Sequence, residues 1–352
     1  MLLRLRRGTP GPQIDSILAL AKDFGYRARF LDESSELLQL EGQGRPEHCS
    51  RFEDCAGVEA ILDPGDAHER HERAPGQPDT VVHVGDAKFG GGYVSLIAGP
   101  CAVEDLGRLL EIARAVQAVG AVLLRGGAYK PRTSPYSFQG HGEKGLEFLA
   151  QARAETGLGI VTEVLDPRDV ACVAEVADML QIGARSMTNT PLLAEVGASG
   201  RPVLLKRGFS ATVRELLLAA EFVLARGSTR VVLCERGVRG FDKTTRNLLD
   251  VGAVAHLKRV THLPVIVDPS HAAGRSELVR PLARAGLAAG ADGMIIEVHS
   301  APAEARSDGH QAVSPEIFAA IAKDAVAIAA LDRRTVVALQ ASVAGAGPNG
   351  AR

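Results

Sequence analysis

From residue 94 onward the sequence repeats one device eight times: a short, nearly continuous apolar run, then an amphipathic stretch. The runs are VSLIA (94–98), AVLLR (121–125), GIVTEV (159–164), MLQIG (179–183), PVLLK (202–206), VVLCE (231–235), PVIVD (264–268) and GMIIEV (293–298). Runs apolar at consecutive positions suit strands buried on both faces, as in parallel sheets. Segments such as LGRLLEIARAVQAVG (106–120) and VRELLLAAEFVLARG (213–227) carry helix-spaced apolar residues. Parallel strands need a crossover, and these helices supply it. Two architectures satisfy the alternation, a doubly wound open sheet and a closed eight-fold barrel. Eight units within about 250 residues match the barrel. No G-x-G-x-x-G fingerprint opens any of the helical segments, which weighs against the dinucleotide-binding sheet. The expected fold is therefore α/β, a (β/α)8 TIM barrel over residues 81–335.

The first 63 residues follow another pattern. Met1–Leu5, Arg27–Leu31, Glu36–Leu40 and Val58–Leu62 read as short strands. Gln13–Phe24 places Ile14, Ile17, Leu18 and Ala21 on one helical face, and a second short helix falls around His48–Cys55. The order βαββαβ predicts a small α+β ferredoxin-like domain over 1–63. The polar stretch DPGDAHERHERAPGQPD (63–79) reads as a linker, spanning 64–80, and SVAGAGPNGAR closes a tail, 336–352, expected to be disordered.

Bulk properties exclude several function classes. With 40 basic and 42 acidic residues the net charge is −2, so no general basic field awaits nucleic acid. No apolar run approaches the ~18 residues that would span a membrane, and the basic N-terminus lacks the apolar core of a signal peptide. Five scattered cysteines, an odd number, suit a reducing cytoplasm better than a disulfide framework.

Chemistry-bearing residues fall at the ends of the eight runs. Cys101 follows the first; Arg125 ends the second and leads into GGAYKPRTSPYSFQG (126–140), a loop with Lys130 and Arg132 either side of a proline. Glu163 ends the third, Arg185 follows the fourth, Lys206 ends the fifth and Arg236 follows the sixth. The seventh runs into DPSH, with Asp268 and His271, and the eighth into Glu297. Barrel enzymes build their sites at these strand ends. Arg125, Lys130, Arg132, Arg185, Lys206 and Arg236 would crowd one mouth with few acids nearby, an arrangement that demands anions. Their number suits two phosphate groups, or a phosphate, a carboxylate and a second phosphate. Cys101, His271, Glu297 and Asp308 offer a thiolate, an imidazole and two carboxylates, a set for Mn, Fe, Co, Zn or Cu rather than Mg alone. His48, Cys49 and Cys55 have no matching second pair for zinc, HERHER (68–73) reads as solvated linker, and Cys172 and Cys234 as core.

AGPCAVE, LRGGAYKPRTSPYSFQGHGEKGLEFL, QIGARSM, LLKRG, LCERGVRGFDKTTRN, LPVIVDPSHAAGR and IIEVHSAPAEARSDGHQA resemble 3-deoxy-D-arabino-heptulosonate 7-phosphate synthases. More narrowly, the chain resembles the type I beta subgroup with an N-terminal ferredoxin-like domain. The resemblance is dense over residues 80–330. It implies condensation of phosphoenolpyruvate with erythrose 4-phosphate, the first step of the shikimate route to aromatic amino acids, with a divalent metal. On this resemblance Cys101, His271, Glu297 and Asp308 ligate the metal. Arg185 and Arg236 face the phosphoenolpyruvate phosphate, and Arg125, Lys130 and Lys206 its carboxylate. Glu163 is placed with these substrate contacts. Arg132 and Thr133 take the erythrose 4-phosphate phosphate, with Ser134 adjacent. Lys130 lies between the substrates and stands, with Cys101 and His271, among the catalytic groups; a metal-bound water is an equal candidate for proton transfer. The resemblance further implies inhibition by Tyr or Phe through residues 1–63 and a homotetramer, and admits a chorismate mutase partner. The alternatives are 3-deoxy-D-manno-octulosonate 8-phosphate synthase, where KPRTS would read as a KANR-type sequence, and a Schiff-base aldolase using Lys206 or Lys130.

Overall fold

A computed structural model describes residues 1–31, 36–42, 46–62, 69–74, 76–130, 134 and 136–338. The chain divides into two units, Met1–Glu69 and Arg70–Arg352.

In the first unit β1 (Leu2–Leu5), α1 (Gly11–Asp23), β2 (Arg27–Phe30), β3 (Leu37–Glu41), α2 (Pro46–Glu53) and β4 (Val58–Leu62) follow in order. The sheet runs β2-β3-β1-β4 with every pair antiparallel, the ferredoxin-like split arrangement. Alternation drives it: Leu3 and Leu5 on β1, and Leu38 and Leu40 on β3, turn inward onto Ile17 and Ala21 of α1 and Phe52 of α2. Pro10 and Pro12 pre-set the first turn of α1, and Gly25, at φ 77°, releases the chain after it.

The second unit begins with a hairpin, β5 (Val82–Val84) and β6 (Ala87–Phe89), which the sequence pattern did not disclose. Eight parallel strands follow: β7 (Tyr93–Gly99), β8 (Leu123–Arg125), β9 (Gly159–Glu163), β10 (Met179–Ile182), β11 (Val203–Lys206), β12 (Val231–Glu235), β13 (Val265–Val267) and β14 (Gly293–Glu297). Each pairs with the next, and β14 returns to β7 over Gly293–Glu297 against Ser95–Gly99, closing the barrel. The helices are α3 (Leu106–Ala118), α4 (Glu143–Thr156), α5 (Val170–Val176), α6 (Thr190–Ala198), α7 (Val213–Leu224), α8 (Val251–Val260), α9 (Pro269–Ala273), α10 (Ser276–Ala288) and α11 (Pro315–Leu331). Side-chain caps set several starts: Asp105, Asn189, Asp250 and Ser314 accept from the first turns of α3, α6, α8 and α11, and Thr212 and Glu215 cap α7 reciprocally. None of the described helices is long and apolar enough to cross a membrane.

Two apolar layers result. One lies between strands and helices; the other fills the barrel, where Ile97, Leu123, Val161, Met179, Leu204, Val232, Ile266 and Ile295 meet Val82, Val84, Ala87 and Phe89 of the hairpin. Phe89 sits 3.3 Å from the Cβ position of Gly293, the first residue of β14, so the hairpin stoppers the N-terminal end.

Two sequence expectations need correction. Residues 70–80 are no free linker. Arg70 donates to Leu224 O (2.9 Å), His71 is buried with Nδ1 3.2 Å from Glu221 Oε2, and Arg73 donates to Asp79 and to Thr261 O (2.8 Å). Thr80 Oγ1 lies 2.7 Å from His262 Nδ1. Polarity here serves ion pairs with the barrel's base, not solvation; residues 63–68 and 75 lie outside the described residues. Nor does the fold stop at 335. β15 (Thr335–Val336) pairs parallel with β7, and Val337 N donates to Val94 O (2.9 Å). The unfilled edge hydrogen bonds at the start of β7 take up Val336 and Val337, assigned by composition to the tail; residues 339–352 lie outside the described residues.

Candidate active site at the barrel mouth

The C-terminal strand ends deliver their polar residues to one rim. Arg125, Glu163, Lys206, Glu235 and Glu297 end β8, β9, β11, β12 and β14; Cys101 follows β7, Arg185 follows β10, Arg236 follows β12 and His271 rides on α9. Most are buried: Arg125 and Lys206 are each 4% exposed, Arg236 3% and Glu297 0%. They surround a cavity of about 300 Å³, which Lys130, Ser134, Glu163, Arg185, Lys206, Arg236, His271 and Asp308 help to line. Arg132 and Thr133 lie outside the described residues.

One side of the cavity is built for a cation. Ligand atoms of Cys101, Glu297 and Asp308 lie within 4.8 Å of one another. The Cys101 thiol donates to Asp308 Oδ2 (3.2 Å), and Lys130 Nζ donates to Cys101 Sγ (3.0 Å) and Cys101 O (2.9 Å). Gly127 permits this approach: a Cβ there would lie 2.7 Å from Lys130 Cδ and 2.9 Å from Cys101 O. His271 joins through Glu297, with Nε2 3.2 Å from Oε1, and Asp268 orients the ring with Oδ2 2.7 Å from Nδ1. Gln311 Nε2 donates to Glu297 Oε2 (2.6 Å), and Ser270 Oγ accepts from Glu297 N (3.0 Å). Asp308 takes φ 52°, a left-handed conformation that side chains seldom adopt and that functional sites often retain.

The titration behaviour agrees. Burial, then the charge of Glu297, pushes the Cys101 thiol up to about 11, so ionising it calls for added positive charge. Burial also opposes ionisation of Asp308, but the Cys101 hydrogen bond and the nearby His271, Arg246 and Lys130 outweigh it and hold the carboxyl at about 2. His271 is lowered by burial against the pull of Asp268 and Glu297, favouring the neutral imidazole a metal takes. A buried thiol, an imidazole and two carboxylates fit a divalent transition ion.

The other side is cationic, and there the expectation is only partly met. Arg125 and Lys206 each already rest on a buried carboxylate. Arg125 Nη1 pairs with Glu297 Oε1 (3.1 Å), and Lys206 Nζ with Asp268 Oδ2 (2.5 Å), across sequence separations of 172 and 62 residues. Arg185 and Arg236 do have no carboxylate partner among the described residues. Instead Arg185, Arg236 and Arg239 stand over the ring of Phe209, 5.3, 4.7 and 5.2 Å from its centroid. Burial lowers the Arg236 pKa, as an unpartnered interior cation requires. Glu163 fits under Gly183, where a Cβ would fall 1.8 Å from its Oε1.

Several contributors escaped the sequence reading: Phe209, Arg239, Arg246, Gln311 and the buried pair of Arg207 with Glu235 (2.8 Å), which also reaches Asp250 (3.1 Å). Arg207 stands beside Lys206 in LLKRG, and Arg239 and Arg246 lie within LCERGVRGFDKTTRN, so nearness to a strand end was the available signal.

The model of the DAHP synthetase I family matches residues 73–330. The chain belongs to this family. A phospho-2-dehydro-3-deoxyheptonate aldolase of Thermotoga maritima is 44% identical over 319 residues, covering 90% of this chain and 94% of its own. The crystal structure of such an aldolase (DAHP synthase) from that organism superposes with a TM-score of 0.76 at 42% identity, covering 95% of this chain and 98% of the other. A 2-dehydro-3-deoxyphosphooctonate aldolase of Syntrophotalea carbinolica is 34% identical over 274 residues, 72% of this chain and 97% of its own. Within the DAHP synthetase I family the chain thus shares both barrel and N-terminal length with the Thermotoga enzyme.

Proposed function

We propose that the protein is a 3-deoxy-7-phosphoheptulonate synthase. It condenses phosphoenolpyruvate with D-erythrose 4-phosphate and water to 3-deoxy-D-arabino-heptulosonate 7-phosphate and phosphate. The observation that carries this reading is the 44% identity along 90% of the chain, N-terminal unit included, to an aldolase of that name. The octulosonate reading rests on 34% identity over 72% of the chain. The acceptor-discriminating KPRTS falls mostly outside the described residues.

The residues divide the work. Arg185 and Arg236, with no carboxylate partner among the described residues, take the phosphoenolpyruvate phosphate. Arg125, Lys130 and Lys206 hold its carboxylate, with Glu163 beside them, while Arg132, Thr133 and Ser134 take the sugar phosphate. Cys101, His271, Glu297 and Asp308 would hold a divalent ion, which supplies Lewis-acid polarisation of the aldehyde. The enol carbon of phosphoenolpyruvate then bonds to the aldehyde carbon, and the aldehyde oxygen gains a proton. Positive charge develops on the carbon bearing the phosphate. Water adds there, and phosphate leaves with C–O cleavage. Lys130, 3.0 Å from Cys101 Sγ and lining the cavity, holds a proton where it can meet that oxygen. Fixing two multiply charged substrates in one orientation supplies much of the rate.

Phosphate release with both substrates, with and without EDTA, tests the reading. Release with erythrose 4-phosphate that chelation stops is expected; release only with arabinose 5-phosphate, or borohydride-trappable chelator-resistant turnover, refutes it. The separate ferredoxin-like fold supports a regulatory role for the first unit, with Tyr or Phe as effector. Equal inhibition of the full chain and a chain lacking residues 1–69 would overturn that role. A cytoplasmic homotetramer, with chorismate mutase as a partner, belongs to the same proposal and is read by light scattering and co-purification.

A further inference from the structure

The cations at the mouth fall into two sets. Arg125, Lys206 and Arg207 each rest on a buried carboxylate. Arg185, Arg236 and Arg239 have none among the described residues and share Phe209 instead. Arg236 is the extreme case: 3% exposed, its guanidinium donates among the described residues only to Gly237 O, at 3.4 Å. Three like charges around one point repel each other. A carboxylate placed among them would relieve that repulsion, but it would also occupy the N–H groups and compete with an incoming anion. A ring face attracts guanidinium charge through its quadrupole and leaves the in-plane N–H donors free.

The turn carrying Phe209 is tied to each loop that supplies an arginine. Arg239 N donates to Phe209 O (2.6 Å). Gly208 N donates to Sδ of Met187 (3.1 Å), on the loop that bears Arg185. Arg207 Nε holds Ala211 O (2.8 Å), closing the turn, while its guanidinium grips Glu235 beside Arg236. Ring and backbone thus converge on one task.

We infer that Phe209 is a positioning residue for the phosphate of phosphoenolpyruvate: its ring gathers Arg185, Arg236 and Arg239 while keeping their hydrogen-bond donors available. This rests on the proposed synthase reading. Phe209 touches no reacting atom; it acts through the arginines.

The test compares Phe209→Leu, which keeps apolar bulk without a π face, with Phe209→Tyr, which keeps the face. In Phe209→Leu the KM for phosphoenolpyruvate rises about tenfold, kcat changes far less and the KM for erythrose 4-phosphate stays put. Inhibition by inorganic phosphate weakens by a similar factor. Phe209→Tyr restores both values to within about threefold of wild type. The inference is overturned if Phe209→Leu leaves phosphoenolpyruvate KM within twofold of wild type, if both substrates lose affinity equally, or if Tyr is as defective as Leu. Should Phe209→Leu melt well below wild type, Phe209→Met takes its place under the same criteria. Calorimetric binding of inorganic phosphate to all variants separates the two levels. A wild type that binds phosphate but does not turn over defeats the synthase reading, while the Leu-to-Tyr difference in phosphate affinity still judges Phe209.

Discussion

Replacing Gly183 by alanine isolates the position of one carboxylate. Gly183 follows β10 without a left-handed φ, so its backbone accepts a side chain; only the space above it is contested. The added Cβ would lie 1.8 Å from Glu163 Oε1, 2.8 Å from Cδ and 3.6 Å from Oε2, so its three nearest heavy atoms all belong to that one carboxylate. That oxygen must retreat by roughly 1.5 Å before contact becomes ordinary. A carboxylate tip can swing, at an off-rotamer cost of about 0.5–1.5 kcal/mol, so Tm should fall by only a few degrees. Activity should suffer far more, because a displacement of about 1 Å at a reacting centre can cost 10²-fold. The assay is steady-state phosphate release for Gly183→Ala, Glu163→Ala and the pair. Gly183→Ala should lose about 10²-fold in kcat/KM, and the double variant should be no worse than Glu163→Ala, since the clash needs its carboxylate. Wild-type kcat/KM in Gly183→Ala, or a double variant much worse than Glu163→Ala, refutes the reasoning.

Three further outcomes are expected. Cys101→Ala should abolish EDTA-reversible turnover while leaving the melting transition near wild type; full activity would remove Cys101 from the metal set. Arg236→Met should raise the Tm of the substrate-free protein, because it deletes a buried charge lacking a carboxylate, while phosphoenolpyruvate KM rises about 10- to 100-fold; a lower Tm refutes this trade. Asp79 is opposed by burial, but its Arg73 hydrogen bond and Lys258 hold its pKa below the ordinary value. Its contribution is therefore present above the unfolded carboxyl value of about 4 and is lost as pH falls through the lowered folded value. Asp79→Asn should be less stable than wild type at pH 7, and melts repeated below about pH 4 should show the gap narrowing.

The eight strands were legible because double-sided burial demands uninterrupted apolar runs, and the rim was legible because strand ends can be located from them. What escaped depends on distance or brevity. Arg125 looked unpaired because its carboxylate neighbour Glu297 lies 172 residues away. The strands Val82–Val84 and Ala87–Phe89 are too short to display a period. Arg73 and Asp79 read as solvated linker because composition cannot distinguish a charge facing water from one facing Lys258 and Thr261. Phe209 carried no signal, since a single aromatic after Lys206-Arg207-Gly208 is ordinary until three guanidiniums are seen around it.

The hairpin beneath the barrel also governs traffic. With Phe89 and its neighbours filling the N-terminal end, molecules can pass only through the C-terminal mouth. The proposed phosphoenolpyruvate contacts Arg125 and Lys206 end strands, deep in that mouth, whereas Ser134, proposed for the sugar phosphate, is only half-buried on the loop after β8. With the sugar phosphate held at Ser134, occupancy would behave as a stack: the three-carbon substrate loads first, and an aldose phosphate that binds early blocks the channel as a dead-end inhibitor.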